Sequence, residues 1–147
     1  MLVSDFQTDI KGNVAKLLDG QPEAMVKFLE DTGLSDLQLL QGNDDLKIWN
    51  TQQALFNNIQ YMPECETIFG LNRSLCEKVA TSIDGSLILL SAAIALGVDM
   101  DRVRLALVND SMKSIVLYRV SDTRVVAICW HDPACVLRHP KFKKQVQ

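Results

Sequence analysis

No apolar run in this 147-residue chain reaches the roughly 18 residues that a membrane-spanning helix requires. The longest, 87–98, is interrupted by Ser91 and stops at Asp99. The N-terminal residues Met1, Leu2, Val3, Ser4, Asp5 and Phe6 place no basic group ahead of an apolar stretch, so no secretory signal is expected. The seven glycines are isolated, which excludes a glycine-rich phosphate loop. No Cys-x2-Cys knuckle is present among the four cysteines, Cys65, Cys76, Cys129 and Cys135. No charge of one sign dominates: the formal net charge is −3.

What is present is ordinary globular composition, with 48% apolar and 22% charged residues, which excludes a disordered chain. The expectation is one domain over 1–140 followed by a basic tail, 141–147, in a cytoplasmic protein whose thiols stay reduced. The charge is unevenly spread. Residues 1–71 carry four Lys/Arg against eleven Asp/Glu, a balance of −7, and residues 72–147 carry eleven against seven, a balance of +4. A solvated tail explains the excess of bases most simply, and a basic half that tolerates nucleic acid explains it otherwise.

Helical spacing governs the first two-thirds. Ser4 is placed to cap a helix bearing Phe6, Ile10, Val14, Leu17 and Leu18 on one stripe, weakened at Gly12 and ended by Asp19 and Gly20. Pro22 suits the first turn of a second helix that ends at Gly33, and Ser35 restarts a short third that stops at Gly42; this pair reads as an αα-hairpin. Asp44 and Asp45 favour another helix start, with Leu46, Trp49, Phe56 and Ile59 on its apolar face. Six amides lie on its other side, among them Asn50, Gln53, Asn57 and Gln60. Amides donate and accept without the desolvation cost of a charge, so these four are candidates for contacting another protein. A further amphipathic helix is expected over 73–83, broken by Asp84 and Gly85, and a helix apolar on all sides over 86–97, buried at the centre.

The end of the chain changes character. Residues 114–120 and 124–130 are β-branched and aromatic, flank Ser121, Asp122 and Thr123, and read as an antiparallel hairpin or part of a three-stranded meander. The segment 99–110 before them fits two periods. As a helix it begins at Asp99 after Gly97; as a strand, Val103, Leu105 and Leu107 alternate with Arg102, Arg104 and Ala106. The glycine-then-aspartate start favours the helix. In that form Ala93, Gly97 and Val103 have helix-turn-helix spacing, and the order of elements resembles a winged helix. Arg102 and Arg104 would then face DNA bases, with Lys113, Arg124 and the basic tail on the backbone. Asp99 and Asp101 at the start of the supposed reading helix oppose that use, because phosphates approach there.

Cys129, His131, Cys135 and His139 supply four metal-ligand side chains within eleven residues. Alternation sets Cys129 and His131 on the same strand face as Val125 and Ala127, which look like core, so packed thiols and exposed histidines are the expected reading and no cofactor is implied. A Cys129–His131 dyad could activate a nucleophile, but the sequence names neither an oxyanion site nor an orienting group. The chain therefore reads as an α+β protein, helical in its N-terminal two-thirds. Its expected role is that of a non-catalytic protein-interaction or regulatory module (adaptor, chaperone-like or inhibitor), able to form a homodimer through the hairpin edge; a DNA-binding regulator is the alternative.

Overall fold

Asp9 divides the first helical stretch in two. Its carboxylate accepts a hydrogen bond of 3.1 Å from the Gly12 N–H, ending α1 (Val3–Thr8) and capping α2 (Ile10–Leu17). A Cβ on Gly12 would lie 2.2 Å from the Asp9 Oδ2, so the glycine expected to weaken the helix is what admits its cap. Ser4, expected to cap, lies inside α1. The computed structural model describes residues 1–20, 22–40, 42–63, 65–108 and 113–132; the basic tail 141–147 lies outside them.

Pro22 precedes α3 (Glu23–Asp31), and Gly33, with φ of 77°, turns the chain into a 3-10 helix, Leu34–Leu39, in place of the expected third α-helix. After it comes α4 (Asp44–Asn58). Its buried stripe, Asp45, Ile48, Gln52, Leu55 and Ile59, alternates steps of three and four and includes two polar side chains. Phe56, expected on that face, is instead exposed.

The helix expected over 73–83 is interrupted. Helix α5 (Leu71–Glu77) ends at Lys78, which takes a left-handed φ of 57°. Residues Val79–Ala80 form β2, paired in parallel with β1 (Gln60–Tyr61). Thr81 then caps α6 (Ser82–Ala95): its hydroxyl accepts from the Asp84 N–H at 3.2 Å and donates to the Asp84 carboxylate at 3.1 Å. Asp84 and Gly85, expected to break a helix, thus sit in its first turn. As expected of the central helix, α6 is buried on all sides, every residue from Ser82 to Ala93 included.

The segment 99–110 resolves against the helix. Asp99 does cap, accepting from the Asp101 N–H at 2.9 Å, but only one 3-10 turn follows, Met100–Arg102. The chain then enters β3 (Val103–Leu107), where the period of two buries Val103 and Leu105. The DNA-reading helix of the winged-helix alternative is therefore a strand. It pairs antiparallel with β4 (Ser114–Ser121), and β4 with β5 (Arg124–Ile128), giving the sheet order β3-β4-β5. The architecture is α+β, with six α-helices among the described residues and this antiparallel sheet towards the C-terminus. No helix among the described residues is long and apolar enough to cross a membrane.

Candidate functional site

Polar side chains fasten α4 to the C-terminal sheet. The Tyr118 phenol donates to the Asp45 carboxylate, and Gln52 donates to the Trp130 carbonyl at 3.1 Å. Burial, and then the adjoining carboxylate, push the Tyr118 pKa far above the ordinary phenol value, so the phenol stays protonated as the donor. Arg102 completes the junction. It reaches Asp44 at 2.6 Å, donates to the carbonyls of Arg119 and Val120 at 3.0 Å each, and lies 4.9 Å above the Tyr118 ring. Arg102, one of the two arginines expected to read DNA bases, is thus committed within the protein.

The amide candidates are partly committed as well. Asn50 donates to the Leu46 carbonyl and Gln53 to the Gln52 side chain, each at 2.8 Å. Asn57 and Gln60 are exposed at the end of the same stripe, with Gln60 in β1.

Trp130, fully buried, covers the N-terminal turn of α6. Its indole N–H donates to the Thr81 carbonyl at 3.2 Å, and a Cβ on Gly85 would fall 2.0 Å from the ring. Beneath it, Asp84 accepts from the N–H groups of Phe69 and Gly70 at 3.1 and 3.0 Å. Burial raises the Asp84 pKa, although these donors and the Thr81 hydroxyl favour the charged form.

Next to Trp130, Cys129 Sγ lies 3.1 Å from His131 Nε2. The imidazole is stacked on Tyr61, with centroids 3.9 Å apart and planes at 15°, and meets Trp130 edge-on at 5.4 Å. Tyr61 is an orienting group that sequence reasoning missed, because β1 comes 70 positions before His131 and only tertiary packing joins them. Cys135 and His139 lie outside the described residues, and among the described residues no group of three or more His, Cys, Asp or Glu is placed to hold a metal ion.

A further surface is the outer face of the sheet. Alternation puts Val103, Leu105, Val116, Tyr118, Val120, Val126 and Ile128 on the inner, buried face. The outer face receives Arg104, Ala106, Ile115, Leu117, Arg119, Val125 and Ala127. Val125 and Ala127, expected in the core, are exposed, Val125 to 61%. The correction is one residue of parity, which exchanges the two faces of a strand. Arg104 pairs with Leu117 and Leu117 with Ala127; Ala106 pairs with Ile115 and Arg119 with Val125. An aliphatic centre is therefore flanked by two exposed guanidinium groups, with no carboxylate among these seven residues. Of the other basic candidates, Lys113 and Arg124 are exposed at the ends of β4 and β5.

The chain matches no protein-family model, no curated protein and no solved structure.

Proposed function

We propose that this is a non-catalytic protein-binding module of the cytoplasm, an adaptor or regulator, which receives an acidic, aliphatic segment of its partner on the outer face of β3-β4-β5. The observation that carries this reading is the aliphatic patch around the exposed Val125 and Ala127, bordered by Arg104 and Arg119 and with no acid among the seven described residues of the face. Contiguous apolar surface marks interaction sites, and flanking cations select a partner of opposite charge. Nucleic acid suits the face poorly, because none of its seven side chains is aromatic and bases have nothing to stack on.

The test is a titration of isotope-labelled protein with a peptide of alternating leucine and glutamate, followed by amide NMR. Shifts are expected at Ala106, Leu117, Val125 and Ala127, and none with a leucine–lysine peptide. Equal response to both peptides, or no response at these amides, overturns the reading. Sedimentation of the free protein tests the other use of this region: a dimer dissociated by Val125→Glu would assign the patch to a second copy of the chain.

A further inference from the structure

The three described cysteines have different hydrogen-bond partners. Cys65 Sγ donates to the Thr67 carbonyl at 3.2 Å, and Cys76 Sγ lies 3.8 Å from the amide oxygen of Asn72. An oxygen of either kind accepts a proton in a hydrogen bond but does not remove it. Of the three, Cys129 faces an imidazole nitrogen, His131 Nε2, at 3.1 Å. In the tautomer that leaves Nε2 unprotonated, an imidazole in that position takes the thiol proton and then stabilises the thiolate as its cation. Stacking on Tyr61 and the edge contact with Trp130 hold the ring against the sulfur. Of the neighbouring titratable groups among the described residues, Tyr61 lies against the imidazole face, and Asp132 follows it with its N–H donating to the Cys129 carbonyl at 3.1 Å. Cys129 and His131 are each half-buried, so small solutes reach them.

We propose that Cys129 and His131 form a thiolate–imidazolium pair that makes Cys129 a site of modification by peroxides and other small electrophiles. With a peroxide the thiolate sulfur attacks one oxygen: the S–O bond forms as the O–O bond breaks. Sulfur is oxidised to a sulfenic acid and the peroxide is reduced. The departing oxygen collects from His131 the proton the thiol gave up, and leaves as water or an alcohol. This assignment is independent of the peptide-binding reading, since neither residue lies in the Val125 patch.

The experiment exposes the protein to hydrogen peroxide with a sulfenic-acid trap, or to iodoacetamide, at about pH 6.5, where an unassisted thiol of pKa about 8.5 is roughly 1% thiolate. Mass spectrometry then resolves the label by residue. Cys129 is expected to react roughly tenfold or more faster than Cys65 and Cys76, although Cys76 is the more exposed. His131→Phe keeps an aromatic ring for Tyr61 but removes the base; it should slow Cys129 to the rate of Cys65 and restore the steep pH dependence of an ordinary thiol. Equal rates at the three cysteines of the unmodified protein overturn the proposal, whether or not the variant folds. A folded His131→Phe protein that retains the fast rate overturns it also.

Discussion

The inner and outer faces of β3-β4-β5 are drawn from the same strands, residue by alternate residue. On the inner face Tyr118 is sealed against Asp45 and Arg102, the Ser114 hydroxyl donates to the Ser82 carbonyl at 3.1 Å and lies 2.8 Å from the Ser86 hydroxyl, and the valines are buried. On the outer face Val125 and Ala127 meet solvent and Arg104 and Arg119 extend into it. The inner face thus has its complement within the chain, down to individual hydroxyl groups. The seven described residues of the outer face have apolar surface and charge of one sign, the composition on which the proposed binding of a partner rests. Stability and binding should therefore separate cleanly between the two.

The hardest blow to the inner side is expected from Gly85→Val. The added side chain enters the space of the Trp130 indole, displaces it from Thr81 and disturbs the Gln52 bond, at a cost of about 3 kcal/mol or more. Urea denaturation should show the lowered midpoint, and tryptophan emission should move to the red in the native state. Next comes Tyr118→Phe, which withdraws the phenol from the buried Asp45 carboxylate and should cost about 2 kcal/mol by the same measurement. A smaller effect is expected of pH. Asp84 keeps its proton in the folded protein above the ordinary aspartate value of 3.8. In the window between 3.8 and that raised pKa the unfolded chain binds fewer protons than the folded one, so stability falls as pH rises through it. The contribution should disappear in Asp84→Asn, compared by denaturation across the acid range. Smallest for stability is Val125→Glu on the outer side, within about 0.5 kcal/mol of the parent, while peptide shifts at Leu117 and Ala127 are abolished. A large loss of stability there would erase the distinction between the faces.

The buried helix and the hairpin were legible because each rests on one strong pattern: a run over 86–97 that is apolar on all sides apart from small residues, and β-branched runs on either side of a short turn at Ser121–Thr123. The start of α6 was also written in the chain, as Thr81 followed three positions later by Asp84, a capping pattern overlooked because Asp84 next to Gly85 resembles a helix break. The segment after Asp99 was ambiguous for a physical reason. Its cap is real, but α6 offers an apolar surface to alternate residues, and burial of Val103 and Leu105 outweighs helix propensity. The candidate sites were harder. Alternation identified two faces of β5 without saying which was inward, and parity alone decided that Val126 is core and Val125 surface. The contact between Cys129 and His131 could be suspected from their spacing, whereas Tyr61, which holds the imidazole, could not.

The bonds joining α4 to Tyr118 and Trp130 span 73 and 78 positions of sequence. A nascent chain emerging from the ribosome would present α4 and the oily α6 well before the strands that cover them. Closure of this seam is accordingly a late event of synthesis, with a long search between distant segments. Until Trp130 emerges and settles over Gly85, the newborn protein carries its most apolar helix open at its first turn.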